Sequence, residues 1–253
     1  MSFYTSLNGL KNAQTDLGVI AHNIANVETN GFKKGNTEFA DIVVASASSN
    51  PRMTQGLGAR VEAITQNFAL GPIEQTGSAL DVAIGGDGFF SMRSPDGSTL
   101  YTRNGSFEID GNGFINDGSD NRLQVYPTDA TGAVTSMTPT DAQVPAANGA
   151  GAEFAGIAVA ENGQVVATYA DGSQLYVGTV ALASFISPTG LKQLGSSNWE
   201  STGLSGPATY GLPNQGAYGA LMSGALERSN VDIAEELVGL ITAQRNFQAN
   251  AKA

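Results

Sequence analysis

A chain of 253 residues, 41% hydrophobic and only 14% charged, can bury a core but presents an unusually neutral surface, and its 32 glycines make it rich in turns. The formal net charge of −11, with no stripe of Lys and Arg, argues against nucleic acid as a partner, because phosphate binding runs on counterion release by basic groups. With no cysteine, disulfides, thiolate nucleophiles and cysteine metal sites are all removed, which would suit a protein that travels unfolded through a channel.

From the N-terminus, Met1 to Ile20 has neither the basic nor the apolar region of a cleavable signal. No stretch of the chain approaches the roughly 20 apolar residues of a membrane helix, so membrane insertion is not expected. The same segment carries a helical pattern: Phe3, Leu7, Leu10, Gln14, Leu17, Ala21 and Ile24 alternate spacings of four and three, and the helix is expected to end near Asn26. Ala45 to Gly58, rich in Ser, Asn and Gly, reads as a loop or linker within a connector over 33–70. Short strands follow at Asp81–Ile84, Gly88–Met92, Thr99–Thr102, Ser106–Ile109, Gly113–Ile115, Gln164–Thr168 and Leu175–Phe185. Turn signals fall between them at Pro95–Gly97, Asp110–Gly113, Glu161–Gly163 and Asp171–Gly172. Thr128 to Gly151, rich in Ala, Thr, Pro and Gly, reads as a linker or short insertion. At the C-terminus, Ile233, Leu237, Leu240, Gln244, Phe247 and Ala251 repeat the four-three spacing, with Ser229 or Asn230 as the expected cap. Spacing alone leaves open whether the two seams pack inside their own subunit or on a partner.

Catalytic chemistry has little to work with. His22 is the single histidine and lies on a predicted helix, so a triad or a metal site would need distant partners. Asp110-Gly111-Asn112-Gly113 with Asp117 lacks the terminal carboxylate of a calcium loop, position 121 being Asn121, and reads as a hairpin turn. Gly85-Gly86-Asp87-Gly88 runs into two phenylalanines without the Lys-Ser of a phosphate loop. No enzyme activity, cofactor or metal is expected.

Three segments carry a resemblance to a known family. Leu17–Lys34 (LGVIAHNIANVETNGFKK) resembles the N-terminal signature of bacterial flagellar hook and rod axial proteins, departing mainly at His22, where Asn is usual. Thr76-Gly77, Leu80–Ile84, Gly88–Phe90 and Tyr101–Phe107 resemble a second signature in the family's β domain. Ser223–Asp232, Glu235–Val238 and Gln244–Lys252 resemble its C-terminal helix, leaving only 128–163 without a clear counterpart. Leu57–Phe68, Leu123–Pro127 and Gly190–Gly195 look most like the hook members of the family, in a short form without a large outer domain.

The resemblance implies an α+β chain. Its N- and C-terminal helices would pair as a coiled coil in an inner-core domain, 1–32 with 224–253, joined by the 33–70 connector to a mainly-β outer domain at 71–223. It implies a subunit that polymerises into the tubular hook, a flexible joint, with a rigid rod subunit as the alternative. Subunit-interface residues would be Leu7, Leu10, Leu17, Asn23, Ile24, Asn26, Gly31, Phe32, Leu237, Leu240, Ile241 and Phe247, with Gly31 at positive φ. Implied partners are other copies of the chain, adjacent rod and hook-filament junction proteins, the hook cap and the flagellar type III export apparatus. The location is then the extracellular hook, or the periplasmic rod. The last helix is still in pattern at Ala253 without a Gly or Asn cap, so it is expected to continue beyond that residue.

Overall fold

The computed structural model of the chain describes residues 3–43 and 56–252. Two compact units divide it. One combines Met1–Glu28, Lys33–Ala69 and Asn230–Ala253; the other combines Thr29–Phe32 with Leu70–Ser229.

The first unit is built from two helices and a strand pair. Helix α1 spans Phe3–Ala25 and helix α2 spans Ile233–Lys252. They pack antiparallel: Asn23 meets Glu236, Ile20 meets Gly239, and Gly9 meets Asn250. Where the sequence reads a connector over 33–70, the structure has β1 (Gly35–Val43) and β2 (Gly56–Gln66), joined antiparallel with Gly35 opposite Gln66. Their burial alternates weakly and many of their residues are exposed, which is why composition there resembles a linker. Ala45–Gln55 of the expected loop lies outside the described residues. The cap of α2 is Asp232, not Ser229 or Asn230: its Oδ1 accepts from the N–H of Ala234 (2.8 Å) and of Glu235 (3.1 Å).

The second unit is antiparallel β throughout. Two small pairs join distant parts of the chain, β3 (Ile73–Gln75) with β19 (Ala225–Glu227) and β4 (Val82–Gly85) with β18 (Ala220–Ser223). A large sheet takes β5 (Phe89–Arg93), β6 (Thr99–Thr102), β7 (Glu108–Ile109), β8 (Ile115–Asn116), β9 (Arg122–Tyr126) and β10 (Thr140–Asp141). It continues through β11 (Phe154–Val159), β12 (Gln164–Tyr169), β13 (Gln174–Val180), β14 (Leu182–Ser184), β15 (Lys192–Gly195), β16 (Asn198–Glu200) and β17 (Thr209–Gly211). Its main strand order is β11-β12-β13-β9-β5-β6-β16-β15.

The expected turns sit where hairpins need them; Gly97, Gly113, Gly163 and Gly172 all take positive φ between paired strands. The core gathers Ile84, Phe90, Met92, Leu123, Val165, Leu182 and Leu221, all closed to water. The 128–151 segment is not a free linker. It contributes β10, and Ala142 and Val144 enter the core while Ala142 and Ile115 share a backbone bond. A buried ion pair, Arg103 Nη1 to Glu227 Oε2 at 3.4 Å, ties β19 to the end of β6, and Glu227 Oε1 also accepts from Gly71 N–H at 2.9 Å. Leaving either charge unmatched in that position would be strongly unfavourable.

Candidate assembly interface

Within the helical unit the contact between α1 and α2 is centred one residue off the leucine seams. Fully buried positions on α1 are Ser6, Ala13 and Asn23, and on α2 Glu236 and Ala243. With Gly9, Ile20, Gly239 and Asn250 at the crossing, every one of these sits one residue before a position of the apolar pattern. That offset turns the contact face by about 100° around each axis. The physical reason is the space beside Gly9: a Cβ there would stand 2.5 Å from Asn250 Oδ1, so the Asn250 side-chain amide occupies the place a larger residue would need.

The apolar pattern is therefore only partly used. Leu7, Leu10, Leu17, Ile24, Leu240 and Phe247 are half-buried, while Leu237 keeps 46% and Ile241 50% of its surface exposed, with Ile233 and Val238 exposed beside them. The chain thus carries on α2 an apolar face that stays about half open to water among the described residues of its own unit.

A polar knot closes one end of the helix pair. The Asn23 side chain pairs with the backbone of Gly35 as a neighbouring strand would, Nδ2 donating to Gly35 O and Oδ1 accepting from Gly35 N–H, both at 2.9 Å. The same Nδ2 donates to Glu236 Oε2 at 3.0 Å. Lys34 Nζ lies 2.8 Å from Glu236 Oε1 and 3.1 Å from Glu235 Oε2, and its own N–H donates to Asn230 Oδ1 at 2.8 Å. Burial pulls the Lys34 pKa down, but the bonds from Glu236 and Glu235 outweigh it and hold the pKa above its ordinary value. A raised lysine pKa stabilises fully below the ordinary value of about 10.5 and is lost as pH climbs through the raised one, so the knot is insensitive to pH around neutrality.

The remaining predicted residues fall in or near the chain reversal after α1. Asn26 is half-buried, its Nδ2 donating to His22 O at 2.8 Å, and His22 is exposed. In the β unit Gly31 has φ of +66°, as the turn requires, and its N–H donates to Glu227 O at 2.8 Å. A Cβ there would lie 2.5 Å from Asn104 N. Phe32 is buried. Lys34, Glu236 and the strand pair were missed by the sequence reading; the faint signal was the Lys33-Lys34 and Glu235-Glu236 doublets in a chain so poor in charge.

Among the described residues no group of three His, Asp or Glu could hold a metal ion, and no helix is long and apolar enough to cross a membrane. The Asp110 carboxylate serves its own hairpin, Oδ1 accepting from Asn112 and Phe114 N–H at 2.8 Å each.

Three family descriptions match the chain in order. They are the flagella basal body rod protein over 3–33, the flagellar hook protein FlgE/F/G D1 domain over 83–167, and the flagellar basal body rod FlgEFG protein C-terminal over 222–253. The second covers the whole of the 128–163 stretch for which the sequence offered no counterpart. The chain is 35% identical to the flagellar basal-body rod protein FlgG of Bacillus subtilis, over 99% of this chain and 92% of the relative. It is 34% identical to FlgG of Agrobacterium fabrum over 96% and 90%. It is 27% identical to the flagellar hook protein FlgE of Salmonella typhimurium over 100% and 96%, in an alignment of 394 positions.

Proposed function

The chain belongs to the flagellar rod and hook protein family, and we propose that it is a hook subunit, a structural element that polymerises into the tubular joint between motor and filament. The observation that carries the polymerising role is the one-residue offset. The intramolecular helix contact consumes a row of small and polar residues and leaves Ile233, Leu237 and Ile241 for neighbouring copies. Burying a Leu or Ile fully is worth about 1.5–3 kcal/mol, a driving force repeated at every subunit added. In this reading 1–32 with 224–253 forms the inner core and 71–223 the outer β domain.

Two things support the hook in particular. The segments Leu57–Phe68, Leu123–Pro127 and Gly190–Gly195 have hook character. A neutral surface with few fixed charges also suits interfaces that slide as a joint bends. On this reading the subunit leaves the cell through the flagellar type III apparatus and adds beneath a hook cap. It then contacts rod and hook-filament junction proteins at the two ends of the tube.

A rod subunit is the second reading, favoured by the higher identity and the nearly gapless length match to rod relatives. Electron microscopy of basal bodies from cells with an in-frame deletion separates the two. Complete rods lacking hooks are expected; a shortened or absent rod replaces the hook reading with the rod reading.

A further inference from the structure

Where asparagine precedes glycine the chain can attack itself, because the glycine N–H meets no Cβ on its way to the side-chain amide carbon. Six such pairs occur, at Asn8, Asn30, Asn104, Asn112, Asn148 and Asn162. Attack needs a side chain free to swing and a glycine N–H free to leave its partner, with the two atoms in reach. The fold withholds this from five pairs. Gly9 N–H belongs to the ladder of α1. Asn30 Oδ1 accepts from Arg228 Nη1 at 3.0 Å, while Gly31 N–H is bound to Glu227 O. Asn104 Oδ1 accepts from Ser106 N–H at 3.2 Å, and Gly105 is buried against Val82. Asn148 is pinned at both ends of its amide: Oδ1 accepts from Ala150 and Ala152 N–H, and Nδ2 donates to Asp171 Oδ2 and Ser173 Oγ. Asn162 Oδ1 accepts from Gln164 N–H at 3.2 Å, and Gly163 is buried against Pro213 with its N–H bound to Ala160 O at 2.8 Å.

Asn112 is the exception. It is exposed on the turn between β7 and β8, and its side-chain amide makes no hydrogen bond among the described residues. The reason lies two residues earlier. In the turns at Asn148 and Asn162 the asparagine itself accepts the N–H two positions on, whereas here Asp110 has taken that task, its Oδ1 accepting from Asn112 and Phe114 N–H. The Asn112 side chain is left idle. Only one turn bond, Gly113 N–H to Asp110 O at 3.0 Å, guards the attacking nitrogen.

We infer that Asn112 is the site at which this chain spontaneously deamidates, and that the change loosens the segment beside it in the β unit. Gly113 N bonds to Asn112 Cγ as its proton passes to hydroxide; the Cγ–Nδ2 bond breaks, ammonia leaves, and the cyclic imide is opened by water to aspartate or isoaspartate. Water and hydroxide are the only co-reactants. The isoaspartate product routes the main chain through the old side chain and so adds a methylene immediately before Gly113. That glycine has no room to absorb it. Its φ is +82°, a Cβ on it would collide with Val144 O, and its own carbonyl accepts from Val144 N–H at 2.7 Å. Val144 and Ala142 are the residues by which the 128–151 segment enters the core, so the altered backbone pulls on that attachment. The inference holds for a hook subunit and a rod subunit alike.

The six pairs serve as each other's controls. The full chain is incubated at dilution in warm, mildly alkaline buffer, and peptide mapping follows conversion at every one of them. Asn112 should convert at least about fivefold faster than any of the other five, the factor set by one ordinary hydrogen bond that must open first. In denaturant the six rates should converge. A folded chain in which another pair leads, or an Asn112 that keeps the same lead in denaturant, overturns the site. Asn112→Gln, whose longer side chain closes this ring poorly, is aged alongside. Amide exchange at Val144 should quicken in the aged parent and stay unchanged in the aged variant. Parent carrying isoaspartate at 112 with unchanged exchange at Val144, or equal quickening in both proteins, overturns the loosening.

Discussion

In the β unit, Ile84, Phe90, Met92, Val165, Leu182 and Leu221 are closed off from water, and Trp199 is fully buried on β16 beside Tyr101. In the helical unit the hydrophobic residues of α1 and α2 buried to that degree are Ala13 and Ala243. One unit finishes its folding with its own residues. The other closes a thin contact held by glycine, alanine and an asparagine-glutamate-lysine knot, and keeps its branched side chains facing outward. On the proposed function, the difference separates two jobs in one chain: a body stable before assembly, and a pair of helices whose main burial is deferred to the polymer.

The largest effect expected from this contrast is in the β core. Phe90→Ala removes a side chain with no exposure and an edge-on contact to Phe107 at 5.2 Å, and should lower the stability of the β unit by about 3–5 kcal/mol. Trp199, the single tryptophan, reports that transition by fluorescence in a denaturant titration. A loss under about 1 kcal/mol would mean the β unit is not the self-sufficient half.

Leu237→Asp tests the opposite half. Leu237 is exposed in the chain, so the subunit's own stability should move by no more than about 0.5 kcal/mol. Polymerisation should suffer much more: losing burial of the exposed half of that side chain, about 0.7–1.5 kcal/mol, and setting a carboxylate in an apolar contact should together raise the critical concentration at least about tenfold, read by sedimentation. Filaments forming at the parent's concentration would remove Leu237 from the interface.

Asn23→Ala distinguishes the knot from the core. It strands the N–H and carbonyl of Gly35 and one bond to Glu236, a loss of about 1–3 kcal/mol felt in the helix pair alone. Amide exchange at Gly35 should quicken while the Trp199 transition stays in place. A shifted Trp199 transition would show that the two units do not unfold independently.

These residues also mark what the sequence could and could not display. The helices, their apolar spacing, the glycine turn at Gly31 and the hairpins around Gly97, Gly113, Gly163 and Gly172 are local features, so the pattern announces them. β9 at the sheet's centre was passed over because a strand buried on both faces loses the alternation that identifies it, even in Leu123-Gln124-Val125-Tyr126. The helix contact was displaced by one residue because periodicity finds the most apolar row, whereas backbone approach selects the smallest one. The knot joins Asn23 to a residue 213 positions away, a pairing no local pattern encodes.

The smallest predicted effect is a pair of glycine substitutions on α1 with opposite signs. Gly18 has no atom within 4 Å of where a Cβ would stand, so Gly18→Ala should stabilise the helical unit by up to about 1 kcal/mol through backbone entropy alone. Gly9→Ala gains the same entropy but drives its methyl into Asn250, and should come out neutral or destabilising in thermal melts followed by helical circular dichroism. Equal gains at both would mean that the helices do not approach as closely as the small-residue row implies. If Gly18→Ala steadies the single subunit yet slows its polymerisation, the exposed glycine face of α1 is itself packed against a neighbour in the tube, and the apolar rows are one contact among several.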